Sequence, residues 1–339
     1  MVKNDAILLT YPLQMVGTSP AIRALRDTIA QAAQTSAKVL ILGETGVGKE
    51  VVARAIHASS VRRTQPLVTV NCGGVPETLL ESELFGYVRG SFTGAVRDRA
   101  GLIQQAHRGT LFLDELGEMS LRMQAMLLRF TETGEVQRVG GAGISGRTDV
   151  RLITATNRDL RAQIAVGTFR QDLYYRLNVI EIHVPPLRER GDDIMLLFDH
   201  YLAEAARMQG SPQPAVSADA AQMLIAYAWP GNIRELRNVT ERLVLQDNEG
   251  TVTPADLPRE IVESLGGPAH RLARPSRSDA LIPLTGITNS SERVEQYWAR
   301  LMTGGDFWSV VHTAYKTGEL TREELIVLVD RGLRETGGN

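Results

Sequence analysis

What is scarce in this sequence narrows it first. One cysteine, Cys72, stands among 339 residues, which excludes an internal disulfide framework and a multi-cysteine zinc site. The six histidines are scattered without HExxH spacing, which argues against a zinc hydrolase. Neither sign of charge predominates: the formal net charge is −2, so no global positive field draws the chain to nucleic acid or an anionic membrane, although a local basic face stays open. No apolar run reaches the roughly 18–20 residues that a membrane span needs. The segment Met1–Gly17 carries Lys3, Asp5 and Pro12 without a cleavage-site pattern and does not read as a signal peptide. A cytoplasmic protein without a membrane partner is expected. With 43% hydrophobic, 22% charged and 5% aromatic residues, the chain is neither disordered nor collagen-like. Its length suits about two domains and an appendage.

Residues 18–36 repeat apolar positions at helical spacing behind Ser19, an N-cap followed by Pro20 at the first helical position. The apolar run Lys38–Leu42 meets a Gly-rich turn at Gly43, and a helix pattern follows from Lys49 to about Ala58. Pro66–Cys72, Thr110–Glu115, Val150–Asn157 and Val179–Val184 are further strand candidates, with helix patterns between most of them, notably Leu121–Thr131. This alternation predicts a doubly wound α/β domain with a parallel sheet covered on both faces. From Arg190 the pattern changes. Asp192–Gln209, Ser217–Tyr227 and Asn232–Asn248 read as helices with no strand between them, hence a small all-helical domain ending near Ser264. The expected boundaries are 14–189 for the α/β part, 190–264 for the helical part, 265–281 for a linker and 282–339 for a C-terminal helical segment. The linker's three arginines suit solvent better than phosphate.

Gly43-Glu44-Thr45-Gly46-Val47-Gly48-Lys49 fits GxxxxGK, follows a strand and opens a helix. Backbone N–H groups of such a loop converge on phosphate oxygens, and Lys49 neutralises the terminal phosphates. Glu50 stands where a Ser or Thr would usually touch Mg2+. Alone, the segment also suits a plain Gly-rich turn. Leu111-Phe112-Leu113 then delivers Asp114 and Glu115 to a strand's C-terminal end, as metal-assisted ATP hydrolysis requires. Asp114 would hold Mg2+ directly or through water, and Glu115 would polarise the attacking water. The other reading is an acidic turn opening the next helix. Asn157 ends the following strand and would orient water or the γ-phosphate, a position that turn chemistry also favours. Arg170 and Arg176 lie six positions apart, about 240° around a regular helix. They therefore cannot share a face: one would serve as an arginine finger for a neighbouring subunit and the other would brace the interface. A surface ion pair of Arg170 with Asp172 is the alternative. Arg234, at the start of a helix in the second domain, is placed to reach phosphate across a cleft.

Together these pieces resemble the AAA+ ATPases. Gly90-Ser91-Phe92-Thr93-Gly94-Ala95 narrows the likeness: it resembles the GAFTGA loop of the bacterial enhancer-binding proteins that activate sigma-54 RNA polymerase, with Ser91 for the usual Ala. GETGVGKE, FRQDLYYRLNV and WPGNIRELRN are similar to the same family, over about residues 14–262, and Glu50 agrees with its GKE variant. The resemblance implies an ATP- and Mg2+-dependent homo-oligomeric ring, taken as a hexamer, that remodels the sigma-54 holoenzyme. It implies that the loop rises and engages sigma-54 when ATP is bound, assisted by a second loop at Val139–Gly146. It also implies that Asn71 restrains Glu115, that Val16 and Gly17 cradle adenine, and that Arg234 is a second nucleotide sensor. By composition alone, Phe92-Thr93 between two glycines suits a packed hairpin.

The family often carries an N-terminal sensory domain. Here the match begins near Gln14, so control is expected from a separate protein, unless the sequence is trimmed. Thr321–Asn339 resembles the first helix of a DNA-binding domain and then stops. No complete helix-turn-helix is legible, which counts against DNA binding by this chain. A remodeller of another protein target, or a module that uses ATP only to assemble, are the rival functions.

Overall fold

The structure, a computed structural model, describes residues 15–92, 95–141, 143–246 and 250–264, with seven isolated positions between 294 and 327. Five strands form one sheet: β1 (Val39–Leu42), β2 (Leu67–Asn71), β3 (Thr110–Asp114), β4 (Arg151–Thr156) and β5 (Ile180–His183). Their order is β2-β3-β4-β1-β5, and every pairing is parallel. Parallel neighbours need crossover connections. The helices around the sheet are α1 (Pro20–Ala33), α2 (Lys49–Ala58), α3 (Glu77–Phe85), α4 (Leu121–Thr133) and α5 (Gln171–Leu177).

Side chains alternate along each strand and fill two cores. Val39, Ile41, Phe112, Ile153 and Ile182 pack with Ile22, Leu25, Val52 and Ile56 of α1 and α2. Leu40, Leu111, Leu113 and Leu152 face the other way, onto Leu84, Met123, Leu127 and Leu173. Because both faces are covered, the strands read as continuous apolar runs rather than alternating ones. Ser19 caps α1 by accepting from Ile22 N, and Pro20 occupies its first turn. Parallel pairing brings the C-terminal ends of all five strands to one edge, where Asn71 stands beside Asp114 and Leu42 beside Thr156. That edge is where open α/β sheets bind ligands.

The helical part holds α6 (Asp193–Gln209), α7 (Ala218–Ala226) and α8 (Asn232–Leu245) around Phe198, Trp229 and Leu236. Trp229 is fully buried, and its Nε1 donates to Leu224 O at 2.8 Å. One expectation is corrected here: the region is not purely helical. Ala215–Val216 and Thr251–Val252 pair as a parallel two-residue ladder, too short to produce a periodic signal. The helix geometry assumed for Arg170 and Arg176 is corrected too. Arg170 is the N-cap of α5, with extended backbone (φ −80°, ψ 128°), so the rotation per helical residue does not span the pair.

The chain divides into two compact units, Met1–Ala269 and His270–Asn339. In the second, Val294, Tyr297, Trp298, Val311, Ala314 and Leu320 are buried together, and the spacing of the first three is helical. The linker at 265–281 and most of 282–339 lie outside the described residues, as do Thr93 and Gly94. Among the described residues, no helix is long and apolar enough to cross a membrane.

Candidate functional site

The loop between β1 and α2 turns through two left-handed glycines, Gly46 (φ 79°) and Gly48 (φ 96°), conformations that a side chain would strain. Lys49 opens α2, is buried, and donates from Nζ to Gly43 O and Glu44 O at 2.9 Å each. Burial lowers its pKa. The charges of Asp114 and Glu115 oppose that shift, and Arg234 adds to it, so these four groups share one electrostatic neighbourhood. Glu50 pairs with Arg54 one turn on, at 2.6 Å. Asn157, just past β4, donates from Nδ2 to Thr45 Oγ1 at 3.0 Å.

Asp114 ends β3, and its Oδ1 accepts from Glu115 N at 2.9 Å. Glu115 has left-handed backbone at φ 55°, a conformation that costs a non-glycine residue about 1 kcal/mol or more and is found at functional sites. Its carboxylate lies against Gly73 so closely that a Cβ there has no room. Among the described residues, no Asn71–Glu115 hydrogen bond forms. Asn71 Oδ1 instead accepts from Gly73 N at 2.7 Å, which places Gly73 between the two side chains. Cys72 is buried beside them. Burial raises its pKa, with Asp114 and Glu115 adding to the effect, so it carries no thiolate chemistry at neutral pH.

Beside the loop, Val16, Val47, Val184, Leu197, Tyr201 and Ile233, together with Arg190, line a small, mostly apolar hollow of about 40 Å³. Gly17 does not line it. Gly17 packs on Asp193, whose Oδ1 accepts from Thr18 N and Ser19 N at 2.5 and 3.0 Å. Arg234 is exposed, but its backbone is tied down, since Ile233 N and Arg234 N both donate to Gly46 O, at 3.0 and 3.3 Å. Sequence reasoning missed Asn232 and Arg188. Asn232 is buried between the loop and the lid, and Arg188 pairs with Glu44 at 2.6 Å. The left-handed Asn after Gly231 is local turn chemistry that WPGN could have flagged. Nothing local points to an ion pair spanning 144 positions.

The described residues of the 90–95 segment, Gly90, Ser91, Phe92 and Ala95, and the stem that carries them, pack against neighbouring segments. A short antiparallel ladder, Gly86–Tyr87 with Arg99–Ala100, forms that stem. Val88 N donates to Val139 O at 3.1 Å and Val139 N to Gly86 O at 2.9 Å, which fastens the stem to the second loop. Ser91 meets Gly140 and Ala95 is buried, while Gly90 N donates to Ala95 O at 2.9 Å. Phe92 remains 45% exposed, its ring edge-on to Tyr87 with centroids 4.9 Å apart. Far from the carboxylates in sequence, Arg170 pairs with Asp172 at 2.7 Å, and Arg176 donates to Thr131 O at 3.1 and 3.3 Å. The site within one chain therefore unites Lys49, Asp114, Glu115, Asn157 and Arg234, and leaves both arginines engaged elsewhere.

Comparison with known proteins agrees with this geometry. Residues 15–183 match the sigma-54 interaction domain and residues 188–272 the AAA+ ATPase lid domain. The chain is 48% identical over 252 residues to the Nif-specific regulatory protein of Azotobacter vinelandii, covering 74% of this chain and 47% of that one. It is 51% identical over 250 residues to the transcriptional regulatory protein ZraR of Escherichia coli, covering 74% and 56%. The chain thus spans about half the length of the curated relatives it matches. The crystal structure of NtrX from Brucella abortus in complex with ADP aligns with a TM-score of 0.70 at 34% identity, covering 94% of this chain and 69% of that one. A P-loop on a five-stranded parallel sheet, a helical lid bonded to that loop and these matches lead to one conclusion: the chain belongs to the sigma-54 interaction domain family of AAA+ ATPases.

Proposed function

We propose that this chain is an ATP-hydrolysing transcriptional activator that remodels the sigma-54 RNA polymerase holoenzyme through its 90–95 loop. The observation that carries the reading is that Lys49, Asp114 and Glu115 meet at the C-terminal edge of the sheet, with Arg234 brought to the phosphate loop from the lid through Gly46 O. Lys49 and the loop N–H groups bind the phosphates, and Arg234 binds them from the lid. Glu115 accepts a proton from the attacking water, and Asn157 orients that water or the γ-phosphate. The donor set at the end of β3 fits a hard cation: an acidic side chain beside a phosphate site is how Mg2+ is held. Asp114 would hold Mg2+, which would supply charge neutralisation at the phosphates. Arg170 and Arg176 act in trans in a hexameric ring, one as a finger to the neighbour's γ-phosphate and the other at the interface. Within their own chain Arg170 is held by Asp172 and Arg176 by Thr131 O, which supports this division of labour.

Gly90, Ser91, Phe92, Thr93, Gly94 and Ala95 are the sigma-54 contact. The half-exposed Phe92 on a glycine-flanked stem supports that role, since such an apolar tip is either packed down or used on a partner. Docking against the second loop supplies the resting position. The test is retention of sigma-54 by this chain with Mg2+ and ADP plus a metal-fluoride mimic of the transferring phosphate. Retention with the mimic alone is expected. Equal retention with and without it would overturn the nucleotide-gated contact, and no retention by an assembled ring would assign the loop to another target.

A further inference from the structure

Several of the contacts that fasten the lid to the phosphate loop converge on two residues, Asn232 and Glu44. Asn232 is fully buried at φ 52°, a backbone that asparagine tolerates better than other non-glycine residues. Its Oδ1 accepts from Leu187 N at 2.8 Å, in the segment that leaves β5 for the lid. Its Nδ2 donates to Glu44 Oε2 and to Thr45 O at 3.1 Å each. One side-chain amide thus joins the lid, the interdomain segment and the phosphate loop. Glu44 is itself held by both terminal nitrogens of Arg188, Nη2 to Oε1 at 2.6 Å and Nη1 to Oε2 at 2.9 Å. Those bonds, with the one from Asn232, hold its carboxyl at about 2. A bare carboxylate in a phosphate loop would repel the ligand. Here it is turned away and neutralised.

We infer that Asn232 and Glu44 are positioning residues for nucleotide binding: they clasp the start of α8 onto the phosphate loop so that Arg234 is already in place when ATP arrives. The inference rests on the ATP-binding role proposed above. Arg234 is long and exposed, and its side chain gains a fixed origin only if its backbone is fixed. That backbone is fixed through Gly46 O, which receives Ile233 N and Arg234 N. The approach is so close that a Cβ on Gly46 would collide with Gly231 O. Asn232, immediately before those two donors, sets their direction. Arranging the site beforehand removes an ordering cost from binding, which raises affinity without any new contact to the ligand.

The test uses Asn232→Asp in the full chain, with binding of a fluorescent ATP analogue as readout. The aspartate keeps the acceptor for Leu187 N and replaces the donor facing Glu44 with a second carboxylate. The dissociation constant is expected to rise on the order of tenfold, since a charge-assisted hydrogen bond becomes a like-charge contact. Adding Glu44→Gln supplies an amide donor for the new carboxylate and is expected to recover most of that loss. A merely structural lesion would not give such partner-specific rescue. If Asn232→Asp fails to fold, Asn232→Gly, which suits the left-handed backbone and carries no charge, is expected to weaken binding by a similar factor. Wild-type affinity in the folded single variant, or a double variant no better than the sum of its parts, would overturn the clasp and leave ATP binding intact. A wild-type chain that binds no ATP analogue would overturn the ATP reading together with the clasp.

Discussion

Ser91 packs against Gly140, and its buried hydroxyl has no hydrogen-bond partner among the described residues. A Cβ on Gly140 would stand 2.6 Å from that of Ser91, so the two loops touch at full contact with no slack. An unpartnered buried hydroxyl costs about 1–3 kcal/mol, and the docked loop carries that cost while a raised loop returns the group to water. Ser91→Ala is therefore expected to hold the loop down more tightly. Amide hydrogen exchange at Val88 and Gly90, whose N–H groups donate to Val139 O and Ala95 O, should slow by about fivefold or more, with no change in the central strands. Exchange that is unchanged or faster would mean that the hydroxyl does not oppose docking.

Gly73 and Glu115 form the second testable contact. Gly73 leaves no space for a methyl group beside the Glu115 carboxylate, so Gly73→Ala displaces that carboxylate without altering any charge. Glu115→Gln keeps its place and removes its basicity. Both are expected to lower ATP turnover, the glutamine variant by on the order of a hundredfold or more and the alanine variant by about tenfold. ATP binding should stay within about threefold of wild type in each, because neither change touches Lys49 or the loop N–H groups. Steady-state phosphate release and equilibrium binding of a fluorescent ATP analogue, measured on the same preparations, check this. A large loss of binding in Gly73→Ala would mean that the substitution disturbs the phosphate loop rather than the base.

The Glu44–Arg188 pair predicts a pH dependence with a definite sign. Glu44 falls from an ordinary 4.5 to about 2 through the hydrogen bonds from Arg188 and Asn232. Its folded pKa lies below its unfolded one, so the stabilisation is fully present above 4.5 and is lost as pH falls through about 2. The melting temperatures of wild type and Glu44→Gln should differ by a constant amount from pH 5 to 8 and converge between 4.5 and 2. The pair is about two-fifths exposed on both sides, so added salt should also narrow the gap. A gap that persists at pH 2 would show that the carboxylate's charge is not what holds Arg188.

The fold was legible in this sequence because the signals are strong and local. Buried parallel strands read as apolar runs, and Ser19 and Pro20 mark the start of α1 where the helix begins. The phosphate loop and the Asp114-Glu115 pair were legible because their chemistry needs fixed residue types at fixed spacing. Three features were not. The ladder of Ala215–Val216 with Thr251–Val252 is too short to show a period. Arg170 reads as part of a helix, yet it precedes the first helical residue and turns to Asp172. The clasp of Asn232 on Glu44 joins positions 188 residues apart, and long-range pairing of two ordinary polar residues leaves no trace in either neighbourhood. Family resemblance implies an Asn71–Glu115 contact, whereas the hydrogen bond that Asn71 makes among the described residues is local: its Oδ1 accepts from Gly73 N, in the turn that directly follows it.

The position of Arg170 yields a prediction about the ring. Within its own chain Arg170 is bound to Asp172 through two hydrogen bonds, 3.0 and 2.7 Å, and Asp172 is held below its usual range by that contact. The pair is about half exposed, so it contributes little to folding, and Arg170→Ala should melt within about 1 °C of wild type. If Arg170 serves the neighbour's nucleotide, the same variant loses hydrolysis on its own. A ring mixed from Arg170→Ala and Glu115→Gln subunits then contains interfaces at which a wild-type Glu115 meets a wild-type Arg170. Phosphate release from such mixtures should exceed that of either variant alone and peak at intermediate ratios. Hydrolysis by the wild type should also rise faster than linearly with protein concentration through the range where rings assemble. Co-assembly, checked by the size of the mixed particles, separates a failed ring from a site that needs no neighbour. Mixed rings of full size with no recovered activity would exclude Arg170 as the residue acting across the interface and leave Arg176 as the candidate.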